Sequence, residues 1–588
     1  LDDGEDITGY RGKPDVAVGR YPVRTTTEAT TMIDKLETYN ANTYAGDWQN
    51  TIVMMGDDGN SNVHMQQAEN VAKIIEANYP AYDVKRVMWD AYTRTTTSTG
   101  NRYPEVASLL KGYMTNGALI MNYSGHGSPY QISHEAVLML SDFKETTSNH
   151  LPLWFTASCD IMPFDGQTEN IGEAAIFNQH GGAISFYGTT RTVITTANEK
   201  MNTAFTRYVM NPSYTVGEAV RLAKNNLVTS GTELTVNKLQ YTLLGDPALS
   251  LARPTKGIKI DSIAGKAATS IVSLKAGDVV VVKGHVTPST AVADSLTTFN
   301  GKLTATVFDV ESNITCKMND VTVTNAFTFK DYDKILYNGS NSVKNGAFTF
   351  SFVVPKDITY SDANARIIAY AVNDSATQIA HGQTTNLSFN GTGNVTGDKM
   401  GPNIYCYLNS NSFSNGDNVN PTPYFIANIS DESGLNTTGN GIGHDLTLII
   451  DNDPNTTYVL NNKEYFTYDQ DSYKSGTAEF SIPELSTGSH QLLFRAWDTM
   501  NNMSEAQLNF NVVNGLNPDV YDVELVENPV TSIAKFRIIH NRTGCSLDVK
   551  LDIFDMSGRM ICSKSETGVA SDNSYTMTWD LCSSDGGA

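Results

Sequence analysis

ALIMNYSGHGS (118–128) and LPLWFTASCD (151–160) are the stretches that decide the fold of this chain. Each is an apolar run of strand length that ends in a short polar loop. Continuous apolar runs predict strands that are buried on both faces, as in a parallel sheet. The carboxyl ends of parallel strands meet at one edge, where open α/β sheets place their ligand crevices. His126 and Cys159 are therefore predicted to face each other across neighbouring strands.

The sequence around these stretches repeats the pattern of a mostly parallel sheet covered by helices. Further apolar strands are predicted at TIVMMG (51–56), VKRVMWD (84–90) and GAISFY (182–187). The connections between them have helical spacing: Ala68 is followed by apolar residues at i+3, i+4 and i+7, and a second helix opens at Pro104 and closes at Gly117. Residues 1–255 are thus predicted to form an α/β domain.

After LLGDPALSLARP (243–254) the helical spacing disappears, and short alternating strands with Gly, Asn and Asp turns take over. A domain boundary is predicted near Arg253. The segments 348–375 and 478–504 resemble each other, which indicates tandem β-sandwiches at 256–398 and 399–514. Residues 515–588 are predicted to form a third, incomplete β domain.

Composition excludes several classes of function. The 588 residues include 41 Lys and Arg against 63 Asp and Glu, and the resulting formal charge of −22 repels nucleic acid. The six cysteines show no CxxC pair, which argues against a zinc ribbon or a disulfide framework. No apolar run reaches the ~18 residues that a membrane span needs. Because the chain starts at Leu1 and ends on a strand and a turn, a fragment is expected, with the N-terminal part of the α/β domain missing.

The two strand-end loops have the chemistry of a nucleophile and its base. A thiol with a pKa near ~8.5 is mostly protonated at neutral pH, and a neighbouring imidazole that shares its proton activates it. Gly125 and Gly127 allow a sharp turn and a close approach of the backbone to substrate. The backbone N–H groups of Gly127 and Cys159 are predicted to stabilise the oxyanion of an acyl-transfer intermediate.

Each of these residues also has a purely structural explanation. A cysteine after a buried strand is most often a small core residue. His-Gly occurs three times, at His126, His180 and His381. His180 follows a helix, where Gly181 fits the left-handed position of a helix C-cap, and His381 lies in the β-rich region. His126 stands between two glycines after an apolar strand, which favours it as the base.

Four blocks together resemble peptidase family C25, the gingipain branch of the cysteine-peptidase clan that includes the caspases. They are NYSGHGS, TASCD, NIGEAAIFNQHGGAIS and LLGDPALSL, and the resemblance extends over residues 14–255. It implies a caspase-like α/β domain with Cys159 as the nucleophile and His126 as the base. In the family an acidic residue after the first strand orients the imidazole. GDDGN occupies this place, so Asp57 is predicted to orient the ring, with Asp58 as the alternative.

Two alternatives remain for this acidic pair. Beside Gly59 and Asn60, the carboxylates also fit an Asx turn or the ligands of a structural Ca²⁺. No cofactor is required for the predicted chemistry, and metal ligands elsewhere stay unassigned.

The same resemblance predicts specificity. Gingipains hold a basic P1 side chain with an acidic residue and an aromatic wall, and these positions fall at Met65 and Val193 here. The substrate-binding site is therefore expected to take a smaller or less charged side chain.

The end of the chain resembles a FlgD-like β module of the type IX secretion sortases within this family. The resemblance implies removal of the C-terminal signal domain from secreted cargo and its transfer to an amine of an anionic lipopolysaccharide. The implied partners are those signal domains, the lipopolysaccharide and the outer-membrane barrel PorV. The implied location is the cell surface, attached peripherally to the outer membrane of a Gram-negative bacterium. The alternatives are a secreted gingipain-like surface protease and an inactive adhesin-like protein.

Overall fold

The computed structural model describes residues 10–320, 323–393, 398–438, 443–461, 465–516, 519–526, 530, 533–555, 559–570 and 572–581. No helix in these ranges is both long and apolar enough to cross a bilayer.

The α/β domain contains eleven strands and seven α-helices within the described residues. The strands are β1 Thr51–Gly56, β2 Asp83–Met88, β3 Thr95–Thr97, β4 Gly100–Arg102, β5 Ile120–Ser124, β6 Gly127–Ser128, β7 Gln131–Ile132, β8 Leu138–Met139, β9 Leu153–Ala157, β10 Ser185–Thr189 and β11 Tyr241–Leu244. The helices are α1 Thr26–Asn40, α2 Val63–Asn78, α3 Pro104–Asn116, α4 Leu140–Glu145, α5 Ile171–Phe177, α6 Thr195–Val209 and α7 Val216–Thr229.

Six of these strands form the central sheet in the order β11-β10-β9-β5-β1-β2. Strands β1, β2, β5, β9 and β10 are parallel to one another, and β11 pairs antiparallel with β10. Strands β1, β5, β9 and β10 are buried along their whole length because helices cover both faces. In β1, Ile52 and Met54 pack into one hydrophobic cluster, whereas Val53 and Met55 pack into the other. The predicted mostly parallel sheet is confirmed.

The turn after α5 differs in detail from the prediction. Gly182, rather than Gly181, has the left-handed backbone, with φ of +82°. The N–H of the next residue, Ala183, donates to the carbonyl of Ala175 at 2.8 Å and closes the end of the helix. A Cβ at Gly182 would lie 2.0 Å from that carbonyl oxygen, so the close approach also requires glycine.

The first β unit begins after Arg253. Its strands are β12 Lys256–Ile263, β13 Lys266–Ala267, β14 Val272–Ala276, β15 Val279–Thr287, β16 Gly301–Phe308, β17 Ser312–Thr315, β18 Thr328–Asp331, β19 Ile335–Lys344, β20 Ala347–Val353, β21 Ser361–Asn373 and β22 Ile379–Thr392. Nine of them form one sheet that closes through the pairing of β12 with β22, instead of the two separate sheets of a sandwich. Strands β17 and β18 form a separate hairpin.

The second β unit contains two sheets, as a sandwich requires. Its strands are β23 Asn403–Leu408, β24 Asn418–Val419, β25 Tyr424–Ser430, β26 Thr447–Ile450, β27 Thr457–Val459, β28 Phe466–Tyr468, β29 Ser475–Ser481, β30 Gly488–Trp497 and β31 Met503–Val512. The sheet orders are β23-β25-β29-β28 and β24-β31-β30-β26-β27. The cores of the two units are continuous, and the rings of Tyr337 and Tyr468 lie 5.2 Å apart.

The last described region forms two small sheets. Its strands are β32 Val520–Leu525, β33 Ala534–His540, β34 Ser546–Phe554, β35 Met560–Val569 and β36 Ser574–Trp579. Strand β33 pairs with both β32 and β36, and β34 pairs with β35. The residues after Leu581 lie outside the described ranges. The likeness to a FlgD module stays a prediction.

His381 lies in β22 at the contact with the α/β domain, and we expect it to make the protein sensitive to acid. It is 7% exposed, its Nδ1 lies 2.8 Å from Asn50 Oδ1, and burial lowers its pKa from 6.5 to about 4. Between these two values the unfolded chain binds the proton and the folded chain does not. Stability is therefore lost as the pH falls through this window, by about 3 kcal/mol in total.

The expected result is a larger drop in melting temperature from pH 7 to pH 4.5 for the wild-type protein than for His381→Asn. His180→Asn, a change at an exposed histidine, serves as the control and should retain the wild-type drop. Equal drops for the wild type and His381→Asn would contradict this account.

Candidate active site

The loops of His126 and Cys159 leave the same edge of the central sheet. Strands β5 and β9 are adjacent and parallel, and Ser124 is the partner of Ala157 at their ends. His126 lies two residues after Ser124, and Cys159 lies two residues after Ala157. The N–H of Gly125 donates to the carbonyl of Ala157 at 3.3 Å and ties the two loops together. The two strands are neighbours, as predicted, so both loops leave the same edge of the sheet. That the two side chains face each other, and their catalytic roles, stay predictions.

Glycine is required in the histidine loop because the backbone contacts its neighbours directly. A Cβ at Gly127 would lie 2.6 Å from Ser158 Oγ and 2.4 Å from Ile161 Cδ1, on either side of Cys159 in the sequence. The Gly127 backbone therefore lies against the cysteine loop. An oxyanion site made by the Gly127 and Cys159 N–H groups requires that the two loops lie close together. That these N–H groups stabilise an oxyanion stays a prediction.

The thiol of Cys159 is partly buried and contacts the backbone of Val193. Its Sγ lies 3.4 Å from both the N and the O of Val193. The N–H can donate to the thiolate, and the carbonyl can accept from the thiol, so this residue serves both protonation states.

The imidazole of His126 belongs to a group of three histidine rings that the sequence analysis missed. The ring of His134 stacks on it at 4.3 Å, and the ring of His64 meets it edge-on at 5.0 Å. His64 is 3% exposed, and burial lowers its pKa, so it places no positive charge beside His126 at neutral pH. The sequence offered one indication that His64 lies near the site: it stands in the first turn of α2, the helix that follows β1 at the same edge of the sheet.

Asp57 holds the histidine loop through its backbone. Its Oδ2 accepts from the N–H of His126 at 2.8 Å and from the hydroxyl of Tyr123 at 3.1 Å, and its Oδ1 accepts from the N–H of Gly59 at 2.7 Å. The side chain is 2% exposed. These hydrogen bonds hold the backbone of His126 in place. That Asp57 also orients the imidazole ring directly stays a prediction.

Asp58, the alternative, points to other partners. Its Oδ2 accepts from the Tyr103 hydroxyl at 2.6 Å and lies 3.8 Å from a guanidinium nitrogen of Arg94. Burial raises the pKa of the Asp58 carboxyl to about 6. Both oxygens of Asp57 and one of Asp58 accept hydrogen bonds. A Ca²⁺ at this pair stays a prediction.

Three other carboxylates lie close enough together to share a cation. Asp398, Asp431 and Asp498 each offer an oxygen within 4.8 Å of the others. They belong to the second β unit rather than to the α/β domain. A structural Ca²⁺ in this protein stays a prediction.

The two predicted substrate-binding residues have different surroundings. Met65 is fully buried in a cluster with Met88, Cys316, Phe327 and Phe329, so it contacts no substrate bound in an open cleft. The expectation that Met65 lines the P1 pocket is not met, because a hairpin of the first β unit covers it. Val193 is 8% exposed and contacts the nucleophile through its backbone.

We expect Gly59→Ala to impair the base without removing it. A Cβ at Gly59 would lie 2.9 Å from His126 Cδ2 and 2.9 Å from Asp57 Oδ1, closer than such atoms normally approach. The imidazole must shift, and a misplaced base costs about tenfold or more in kcat. Peptidase assays of Gly59→Ala and the control Gly166→Ala, whose Cβ would lie 3.1 Å from a carbonyl oxygen, test this. Wild-type kcat for Gly59→Ala would show that His126 is not the base.

Comparison with known proteins identifies the α/β domain. The family model described as Peptidase family C25 matches residues 2–252. Residues 2–252 belong to peptidase family C25. The chain therefore contains a cysteine-peptidase domain. None of the curated proteins compared with this chain shows a significant match.

Solved structures of C25 proteins are among the similar chains. Dimeric latent PorU from Porphyromonas gingivalis is 29% identical, with a TM-score of 0.34, over 100% of this chain and 50% of that chain. The Arg-specific cysteine proteinase gingipain R is 16% identical, with a TM-score of 0.35, over 64% of this chain and 75% of that chain. The complex of the pro- and mature domains of Porphyromonas gingivalis RgpB is 15% identical, with a TM-score of 0.35, over 64% of this chain and 77% of that chain. This chain thus spans about half the length of the PorU chain.

Proposed function

We propose that this C25 peptidase is a sortase of the type IX secretion system. It removes the C-terminal signal domain of secreted cargo through an acyl-enzyme and transfers the cargo to an amine of an anionic lipopolysaccharide. The cargo and the acceptor are taken from the branch of the family that the end of the sequence resembles. The observation that supports the proposal is the absence of the two features with which gingipains bind a basic side chain. The position of the acidic residue holds Met65, which is buried away from the cleft, and the position of the aromatic wall holds Val193, whose backbone contacts the sulfur of Cys159.

The residues of the site have defined roles in this reaction. The Sγ of Cys159 attacks the scissile carbonyl, and His126 takes the thiol proton. The Gly127 and Cys159 N–H groups stabilise the oxyanion. Collapse breaks the peptide bond, His126 gives its proton to the departing amine of the signal domain, and a thioester to Cys159 remains.

The second half of the reaction decides between a sortase and a protease. An amine of the glycolipid attacks the thioester, His126 takes its proton, and an amide forms as the thiol is restored. Water in place of the amine gives hydrolysis from the same thioester. A gingipain-like surface protease and a sortase therefore use the same Cys159–His126 pair and differ in the acceptor that attacks the thioester.

Substrates with small or polar P1 residues are expected to be cut in preference to substrates with Lys or Arg. A basic side chain next to Val193 would have no aromatic wall, and it would lack the gingipain counter-charge because the buried Met65 stands at that position. An unpaired buried charge costs several kcal/mol. We expect discrimination above ~10²-fold in kcat/KM. Matched peptides that differ only in P1, with Ser or Ala against Arg or Lys, measure it.

Efficient cleavage after Arg or Lys would contradict this specificity and would favour an ordinary surface protease. It would also direct attention to Asp160, which follows the nucleophile directly and whose Oδ2 accepts from the Thr192 hydroxyl at 2.7 Å. Asp58 is a poorer candidate for the P1 counter-charge because it is 3% exposed and already has Tyr103 and Arg94 as partners.

The sorting reaction is tested by the mass of the cargo carboxyl terminus. The protein is incubated with cargo that carries its signal domain, with and without a small primary amine such as glycine amide. A sortase gives cargo with the amine joined in amide linkage, whereas a protease gives the free acid in both samples. Cys159→Ser serves as the control for background hydrolysis, and intact cargo in every sample would contradict both functions.

A sortase of this kind acts at the cell surface, attached peripherally to the outer membrane and paired with the barrel PorV. The chemistry needs no cofactor, because the thiol, the imidazole and backbone N–H groups supply every proton transfer and charge contact.

A further inference from the structure

A hairpin of the first β unit extends onto the peptidase domain beside the catalytic loop. We call it the hairpin arm: residues 312–320 and 323–331, which include β17 and β18. Cys316, Phe327 and Phe329 of the arm form one buried cluster with Met65, Ala68 and Met88 of the peptidase domain. The arm is therefore part of the structure of the peptidase domain and not a loosely attached loop.

Asp90 anchors the arm. It is 1% exposed and lies just after β2, in the short 3₁₀ turn Trp89–Ala91. Its Oδ2 accepts from the N–H of Met318 at 2.8 Å, its Oδ1 accepts from the N–H of Asn319 at 2.7 Å, and its carbonyl accepts from the N–H of Lys317 at 2.8 Å. Three successive N–H groups of the arm thus bind a single residue, two of them through charge-assisted bonds.

The arm also contacts the loop that carries Asp57 and Asp58. The guanidinium of Arg94 donates to the carbonyl of Asn319 and lies 3.8 Å from Asp58 Oδ2. The side-chain amide of Asn62 donates to the carbonyl of Asn325 at 3.5 Å. The arm therefore contacts this loop directly at Asn62 and is linked to Asp58 through Arg94.

The loop needs such support because its backbone is strained. Asn60, Ser61 and Asn62 have φ of 55°, 56° and 70°, three successive residues in the left-handed region. Residues other than glycine disfavour this region, and a run of three persists where the surroundings hold it.

A second path leads from Asp90 to His126. Trp89, beside the anchor, stacks on Tyr123 with ring centroids 5.7 Å apart. The Tyr123 hydroxyl lies 3.1 Å from Asp57 Oδ2 and 2.7 Å from the carbonyl of His126. The position of the anchor thus affects the same residues that hold the histidine loop.

We propose that the hairpin arm is a positioning element of the active site and that Asp90 and Arg94 are its positioning residues. They hold loop 57–62, and through Asp57 and Tyr123 they hold His126 where it can accept the proton of Cys159. The first β unit is then required for an active peptidase. This inference rests on the Cys159–His126 assignment and not on the identity of the cargo.

The test measures alkylation of Cys159 by iodoacetamide between pH 5 and pH 9 in the full chain, with peptide mass mapping of the product. Asp90→Ala removes both side-chain acceptors, Asp90→Asn keeps one oxygen, and Arg94→Met removes the contacts with Asn319 and Asp58. Lys330→Ala is the matched control, because Lys330 lies on the same arm with a 64% exposed side chain paired to Glu311.

In the wild type we expect rapid alkylation at pH 6.5, because His126 takes the thiol proton. Asp90→Ala and Arg94→Met should slow it about tenfold or more and move the midpoint of the pH profile towards the ~8.5 of an unassisted thiol. Asp90→Asn should lie between Asp90→Ala and the wild type, and Lys330→Ala should match the wild type.

An unchanged pH profile in Arg94→Met overturns the proposal, and so does an unchanged profile in a folded Asp90→Ala. If Asp90→Ala fails to fold, Arg94→Met decides, since the Arg94 side chain is 22% exposed and its removal leaves the buried anchor intact. The assay contains no cargo, so a failed sorting reaction would leave this result unaffected.

Discussion

Cys159→Ala is expected to abolish peptidase activity while the protein stays folded. The thiol is the atom that forms the acyl-enzyme, and removal of a catalytic nucleophile typically costs at least ~10⁴-fold in kcat. The substitution removes one partly buried sulfur that packs against the core of the sheet, at a cost of about 1 kcal/mol. Peptide cleavage measures the first effect. Thermal melting measures the second, which should stay within about 4 °C.

The matched control is Cys545→Ala, at an exposed cysteine of the third β unit. It should retain wild-type activity. Wild-type turnover by Cys159→Ala would show that the thiol is not the nucleophile. Loss of activity accompanied by a collapse of the melting temperature would assign Cys159 a structural role instead.

His126→Ala is expected to lower kcat by ~10²–10⁴-fold and to leave a measurable remainder. The thiol and the oxyanion donors stay in place, whereas the base that deprotonates the thiol is lost. Because a thiol without its base ionises near ~8.5, the residual activity should rise with pH up to that value. A kcat profile from pH 6 to pH 9 measures both effects.

His180→Ala and His381→Ala separate the three His-Gly sites at pH 7.5, where acid sensitivity plays no part. His180 lies after α5 and His381 in β22, and neither lies at the carboxyl edge of β5 and β9. Both variants should turn over substrate like the wild type. If His180→Ala were the inactive variant, the wrong histidine would have been assigned as the base.

The central sheet and the positions of the dyad follow from the sequence because their signals are local. An apolar run such as TIVMMG is buried on both faces wherever it lies in a parallel sheet, and β1 is fully buried. Residues that follow two such runs necessarily meet at one edge when the strands are neighbours. The position of His126 and Cys159 at this edge therefore follows from the two apolar runs that precede them.

What the sequence did not reveal depends on contacts between distant residues. Met65 stands in the position of a pocket residue, yet Phe329 of another domain covers it. Nothing in the local sequence indicates that partner. His134 likewise stacks on His126 because a short excursion after β6 returns to the sheet edge. The closure of the first β unit through β12 and β22 depends on strands more than one hundred residues apart.

The most direct test of the dyad is competition among the six cysteines for substoichiometric iodoacetamide at pH 7, followed by peptide mass mapping. Among the five cysteines that the structure describes, exposure alone favours Cys545, which is exposed while Cys159 is partly buried. Activation by His126 predicts that Cys159 is labelled first and that this preference disappears in His126→Ala. Labelling that follows exposure, with Cys545 first, or a Cys159 preference that survives in His126→Ala, would contradict the account.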